Sequence, residues 1–123
     1  MIYSFIADEA ATVIDSGVII TGVCNVSTRQ YLAFQREIDI EDDDDWGVYL
    51  ELNDQGNSNY DIIEHCSLTS ENLVIYLLKT IDTKNKFNKI EVTLKIQRAM
   101  LEKLTEGLKQ VFIDCPNILY INI

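Results

Sequence analysis

The sequence predicts an α+β fold, in which a mostly antiparallel β-sheet of about seven to eight short strands carries one C-terminal amphipathic helix packed on it. Most of the chain consists of short β-branched and aromatic runs separated by turn-forming residues. After residue 97 the spacing of apolar residues changes from two to about 3.6. With 123 residues and no visible repeat or linker, the chain favours a single domain over residues 1–123.

The first third of the chain contains three predicted strands, at residues 2–6, 18–21 and 31–38. Residues 15–17 form a turn signal, Asp-Ser-Gly, that precedes the second strand. In the third strand one face is apolar except at Arg36.

The middle of the chain has its clearest strand pattern at residues 46–52, where apolar and polar side chains alternate. Residues 53–59 are polar or glycine throughout and predict a loop. Further strands are predicted at residues 60–68, 73–78, 89–96 and 118–123. The run at 73–78 is apolar on both faces, which is typical of a central strand.

A single helix is predicted over residues 98–113. Its apolar stripe recurs at helical spacing and comprises Leu101, Leu104, Leu108, Val111 and Phe112. Gly107 lies within the helix and is expected to weaken it by about 1 kcal/mol relative to alanine. Pro116 disfavours helical geometry at the preceding residue and ends the helix.

Negative charge is concentrated in the middle of the chain. The formal net charge is −10, and residues 37–78 include twelve acidic residues but no lysine or arginine. Direct nucleic-acid binding is not expected, because phosphate recognition needs clustered lysine and arginine. A strongly negative region instead favours a basic partner, whose encounter it would steer and accelerate.

The expected compartment is the cytoplasm. No apolar run approaches the roughly 20 residues that span a bilayer, so no membrane contact is expected, and no secretory signal is visible at the N-terminus. The three cysteines, Cys24, Cys66 and Cys115, are widely spaced and odd in number. They predict buried reduced thiols rather than a disulfide framework or a metal site.

Catalytic, metal and cofactor sites receive little support. The acidic run at 41–45 departs from the calcium-loop template, because Trp46 and Asn53 stand at two of its ligand positions. His65 is the only histidine and matches no metal-ligand or nucleophile motif. A carboxylate-dependent hydrolase would need Glu51, Asp54 and His65 in one pocket. We expect no enzyme, no metal and no cofactor.

A protein-binding site has more support. The candidate residues are Asp42, Asp43, Asp44, Asp45, Trp46, Tyr49, Glu51 and Tyr60. The acidic residues would attract a partner over a distance, and exposed aromatic side chains would supply much of the contact energy. A structural alternative stays open, with Trp46 in the core and Tyr49 packing across strands.

Two segments of the chain form a pattern, because residues 31–36 read YLAFQR and a later segment contains Tyr49, Glu51, Asp54, Gln55 and Tyr60. In these residues the sequence resembles the Immunity protein 10 family of bacterial polymorphic-toxin systems. That family pairs a YLxxQR-like strand with a later YxExxDQ…Y segment. The likeness follows the chain in order to the C-terminal helix, while the acidic run at 42–45 and the final strand depart from it.

The resemblance implies a non-enzymatic intracellular protein that binds and neutralises a cognate toxin by stoichiometric inhibition. Many such toxins are nucleases, whose basic surfaces a carboxylate-rich patch can occupy by mimicry. Residues 42–45 are the favoured contacts, whereas Asp54 and Gln55 are favoured as structural, capping backbone amides of the turn. The alternative is a homodimeric scaffold module that pairs through an exposed sheet edge at residues 118–123, so monomer and homodimer both stay open.

Overall fold

The structure, a computed structural model, describes residues 1–38, 47–81 and 86–123. Within those ranges it contains ten strands and one helix. In chain order they are β1 (Ile2–Ala7), β2 (Glu9–Asp15), β3 (Val18–Cys24), β4 (Tyr31–Glu37), β5 (Tyr49–Leu52), β6 (Asp54–Tyr60), β7 (Ile63–Thr69), β8 (Asn72–Leu77), β9 (Lys89–Leu94), α1 (Arg98–Val111) and β10 (Leu119–Asn122).

The strands form two five-stranded sheets. Sheet 1 has the order β1-β9-β8-β7-β10, and sheet 2 has the order β2-β3-β4-β5-β6. Neighbouring strands are antiparallel except for β1 with β9 and β7 with β10, which are parallel. The predicted α+β class, mostly antiparallel with a C-terminal helix, is confirmed. The structure divides the strands between two sheets and adds two with weak sequence patterns, β2 and β6.

Strand β2 forms a hairpin with β3 over seven residues in unbroken register. Its glutamate and alanines have low strand propensity, so the sequence pattern did not indicate it. The turn uses Ser16 (φ 53°) and Gly17 (φ 78°), both left-handed, as a two-residue type I′ hairpin turn requires. The predicted turn therefore joins two strands.

The loop predicted at residues 53–59 is wrong, because residues 54–60 form β6. Asn53, with a φ of 64°, makes the turn between β5 and β6. Glu51 pairs with Ser58 whereas Leu52 pairs with Asp54, so residues 55–57 form a bulge. Polar residues suit this strand because it lies at the sheet edge, where backbone bonds to β5 suffice and neither face must be buried.

Both sheets and the helix contribute to one hydrophobic core. Along β3, β4, β7, β8 and β9, buried and more exposed residues alternate, so each strand turns one face inwards. Helix α1 packs on β2, β3 and β4 and also contacts β10. In the described parts of the chain, no helix is both long enough and apolar enough to cross a bilayer.

The predicted stripe is buried, with Leu101, Leu104, Leu108 and Val111 in helix α1 and Phe112 directly after it. It ends at Val111, two residues before the predicted end. Gly107 is buried against sheet 2, where an added Cβ would lie 2.6 Å from Thr12 Oγ1 and closer still to Thr21 Oγ1. Glycine therefore allows the helix to approach the sheet closely, a role that the sequence did not indicate.

Arg36 interrupts the inward face of β4 and is only 6% exposed. Its guanidinium forms an ion pair with Asp114 and donates to the Val111 carbonyl oxygen at 3.1 Å. These bonds compensate the burial of the charge. They also fasten β4 to the C-terminal end of α1.

Candidate functional site

The outer face of sheet 2 brings three of the predicted binding residues together. Tyr49 and Glu51 alternate with buried leucines along β5, so their side chains point away from the core. Tyr60 in β6 is paired with Tyr49. Tyr31, at the start of β4, also reaches Glu51. We call Tyr31, Tyr49, Glu51 and Tyr60 the tyrosine–carboxylate face.

Glu51 lies at the centre of this face. Its Oε1 accepts a hydrogen bond of 2.7 Å from the Tyr49 hydroxyl, and its Oε2 accepts one from the Tyr31 hydroxyl. The rings of Tyr49 and Tyr60 pack with centroids 5.0 Å apart and planes at 53°. Tyr60 is 45% exposed and forms the outer rim. The carboxylate is thus held in one orientation beside aromatic rings.

Both tyrosine donors stay protonated at neutral pH. Burial raises the pKa of Tyr31 well above its ordinary value of 10.0, and the hydrogen bond to Glu51 adds to this effect. Burial also raises the pKa of Tyr49, with Glu51 acting in the same direction. Such hydroxyls are firm donors but poor bases. The arrangement therefore suits recognition of a cation by an oriented carboxylate better than proton transfer.

A second hydrogen-bond network supports the Tyr31 end of the face. Asn53 Oδ1 accepts from the Tyr31 backbone N–H at 2.8 Å, and Asn53 Nδ2 donates to the Tyr3 hydroxyl at 2.6 Å. Gln30 Nε2 donates to the same hydroxyl at 2.8 Å. Tyr3 belongs to β1, so these bonds tie sheet 1 to the turn between β5 and β6 and hold Tyr31 in place.

The acidic part of the predicted site lies outside the described residues. This applies to Asp42, Asp43, Asp44, Asp45 and Trp46, whose contribution stays a prediction. The described strands locate the two ends of the segment, because Gln35 of β4 pairs with Tyr49 of β5, and Tyr49 pairs with Tyr60. The end of β4 and the start of β5 therefore lie at the Tyr60 end of the tyrosine–carboxylate face.

Asp54 and Gln55 begin β6, at the other end of the strand from Tyr60. Asp54 Oδ1 accepts from the Gly56 N–H at 2.8 Å. The backbone carbonyl of Gln55 accepts from Ser58 Oγ at 2.7 Å. These local hydrogen bonds shape the bulge. Because Asp54 and Gln55 stand at the far end of β6, they lie away from the exposed ring of Tyr60.

The three residues of the hydrolase alternative are not brought together. Glu51 lies on the outer face of sheet 2, whereas His65 lies on sheet 1, its ring 6.1 Å from that of the exposed Tyr76. Because both sheets turn their inner faces to one core, their outer faces point to different sides of the molecule. Within the described ranges, no group of three or more His, Cys, Asp or Glu residues could hold a metal ion.

A cavity of about 280 Å³ lies near the end of α1, and Arg36, Asp61, Asp114 and Cys115 are among its lining residues. None of Glu51, Asp54 and His65 lines it. Burial raises the pKa of the Cys115 thiol, and Asp114 adds to this effect. The thiol is thus not activated as a nucleophile.

The edge considered for homodimer formation is present as β10, which is paired with β7 on one side only. It is four residues long, and Tyr120 is exposed on it. Pairing of two copies through β10 stays a prediction.

Comparison with known proteins found no match to this chain among protein-family models, curated proteins or solved structures. The resemblance to the Immunity protein 10 family therefore stays a prediction that depends on the motif residues.

Proposed function

We propose that this chain is a non-enzymatic binding protein that neutralises a basic partner protein by stoichiometric association. As the resemblance to the Immunity protein 10 family implies, the partner would be a bacterial toxin made by the same cell or its kin. The observation that carries the proposal is the oriented Glu51 carboxylate between Tyr31 and Tyr49, beside the exposed ring of Tyr60.

The tyrosine–carboxylate face suits an arginine or lysine of the partner. A carboxylate can accept several hydrogen bonds, and the neutral tyrosine donors occupy only one on each oxygen of Glu51. The negative charge is therefore retained for a cation, and the ring of Tyr60 offers it a π face. Because the carboxylate is already oriented, little side-chain entropy is lost on binding.

The acidic segment adds attraction over a longer range. Residues 39–46 contain six carboxylates and no basic side chain. The described strand ends that flank them in sequence, the end of β4 and the start of β5, lie at the Tyr60 end of the face. A field of this sign accelerates the association of a basic protein tenfold or more and weakens as salt is added. We therefore expect the segment to govern the association rate and Glu51 to govern the dissociation rate.

The test uses the candidate toxin domain encoded beside the gene of this chain, with binding followed by surface plasmon resonance over a range of salt concentrations. Replacing Asp43, Asp44 and Asp45 by Asn should slow association several-fold and flatten its salt dependence. The matched control replaces Glu64 of β7, Glu71 of the turn between β7 and β8, and Glu91 of β9 by Gln, which removes the same charge elsewhere.

Glu51→Gln keeps the shape of the side chain and removes its charge. Its dissociation should be at least about tenfold faster, the loss expected for a desolvated charged contact. Glu64→Gln, an exposed carboxylate of sheet 1, should leave dissociation unchanged. Failure of the unmodified chain to bind and inhibit the toxin domain would overturn the proposed function. Equal effects of the Glu51 and Glu64 variants would remove the tyrosine–carboxylate face from the interface.

A further inference from the structure

Strand β2 is an edge of sheet 2 that lacks the usual protective features. Natural sheet edges carry lysine or proline, contain bulges, are very short, or are covered. β2 runs for seven residues in unbroken register with β3 and contains no lysine, arginine or proline. Within the parts of the chain that the structure describes, no backbone-to-backbone hydrogen bond outside the β3 ladder reaches residues 9–15. The Ala11 carbonyl oxygen also accepts from Thr21 Oγ1 of β3 at 3.4 Å, and Thr12 Oγ1 donates to the Lys103 carbonyl oxygen at 3.0 Å.

The other edges of the two sheets are each protected. β10 is only four residues long. β6 is polar and carries the bulge at residues 55–57. At β1, the side-chain amide of Asn25 donates to the Ile6 carbonyl oxygen at 2.8 Å and so occupies part of the edge. β2 is the edge best suited to receive another strand.

Both sides of β2 offer room for the side chains of an added strand, which would point alternately to the two faces. On the outer face Ala11 and Val13 are exposed, Val13 by 52%. On the inner side a groove of about 590 Å³ lies between β2 and α1, and Thr12, Ile14 and Gly107 contribute to its lining. Small and apolar side chains therefore fit on either side.

The charges around β2 select the occupant. Glu9 and Asp15 stand at its two ends and share the outer face with Val13. Across the groove, Glu102 and Glu106 of α1 are each ion-paired with a basic residue of the same helix, Arg98 and Lys109, so the helix adds no excess negative charge. The negative charge of this edge therefore lies at the two ends of β2, which favours a strand with lysine or arginine near its ends.

We propose that β2 binds an extended basic segment of a partner protein as an added antiparallel strand. A second copy of this chain is the less favourable occupant, because symmetric antiparallel pairing about Thr12 would place Glu9 opposite Asp15. Like charges directly opposite each other destabilise a strand pair, and each copy has a net charge of −10. This inference does not rest on the proposed function, since it concerns another surface and can be tested without a toxin.

The probe is the peptide Lys-Thr-Val-Thr-Val-Thr-Lys, blocked at both termini. It can place valines beside Ala11 and Val13 and lysines beside Glu9 and Asp15. Amide shifts of the ¹⁵N-labelled chain are followed up to about 1 mM peptide, a range that detects weak complexes. Saturable shifts confined to residues 9–15 and their β3 partners are expected, with intermolecular Hα contacts to β2. The same peptide with glutamate for both lysines should bind at least about tenfold more weakly.

Val13→Lys adds the edge lysine that natural sheets use for protection and should weaken peptide binding about tenfold. The matched control is Ile6→Lys, because Ile6 is equally exposed at 52% but lies on the edge of sheet 1. Absence of shifts at β2, equal binding of the glutamate peptide, or equal effects of the two variants would overturn the inference. A concentration-dependent dimer with β2 amides protected would also overturn it, since the occupant would then be a second copy.

Discussion

The close contact between α1 and sheet 2 gives opposite expectations for Gly107→Ala, depending on whether the helix or the tertiary contact is considered. In an isolated helix, alanine in place of glycine stabilises by about 1 kcal/mol. In the folded chain, the new Cβ would lie 2.6 Å from Thr12 Oγ1 and 2.8 Å from Thr21 Cβ. Carbon atoms normally approach to about 3.5–4.0 Å, so the helix or the two threonines must move by roughly 1 Å.

The cost of that movement exceeds the gain in helix propensity. Overpacking of this kind costs about 1–3 kcal/mol. The Thr12 and Thr21 hydroxyls also form a hydrogen bond of 2.7 Å with each other, whose loss would cost about 1 kcal/mol. After subtraction of the propensity gain, Gly107→Ala should lower the free energy of unfolding by about 1–3 kcal/mol.

Urea unfolding followed by circular dichroism measures this difference. The control is Gly56→Ala, because the nearest atom to an added Cβ there is Asp54 Oδ1 at 3.5 Å, an ordinary contact. A double-mutant cycle with Thr12→Ala should recover part of the loss, since it removes one of the two hydroxyls. If Gly107→Ala were as stable as the unmodified chain or more stable, the close approach inferred for α1 would be refuted.

Two further predictions concern the tyrosine–carboxylate face and the buried arginine. Because the folded state raises the pKa of Tyr31 above its ordinary 10.0, this residue contributes stability that is fully present below pH 10 and is lost as pH rises above it. Between pH 8 and pH 11, the free energy of unfolding should therefore fall less for Tyr31→Phe than for the unmodified chain. An equal fall would contradict the raised pKa of Tyr31. Asp114→Asn removes the charged partner of Arg36 and should destabilise by about 1–2 kcal/mol, less than a fully buried pair because the Asp114 side chain is 57% exposed. The control is Asp15→Asn, at an exposed strand end, which should change the free energy of unfolding by less than about 0.5 kcal/mol in the same urea assay. Equal losses for the Asp114 and Asp15 variants would show that the Arg36–Asp114 ion pair does not stabilise the fold.

The candidate site was predictable only in part. Tyr49, Glu51 and Tyr60 were identified from a short motif, and the structure brings them together on one face. Tyr31 belongs to the earlier YLxxQR-like segment and is not among the predicted site residues, because its contact with Glu51 depends on the register of β4 against β5. A period of two along each strand shows which face a residue occupies, but it does not show which residue of the next strand lies beside it.

The α+β class, the helix and its buried stripe, the alternating strands and the concentration of negative charge all follow from the amino-acid sequence alone. These features follow from local periodicity, since a residue's burial is repeated every two or 3.6 positions along one element. Four features required the three-dimensional structure: the division into two sheets, the edge strands β2 and β6, the grouping of Tyr31 with Glu51, and the need for glycine at position 107. Edge strands need no apolar face, so their sequences lack a clear pattern. The other features join residues that are far apart in the chain. Between Gly107 and Thr12, for example, the distance between the two backbones determines which side chain fits.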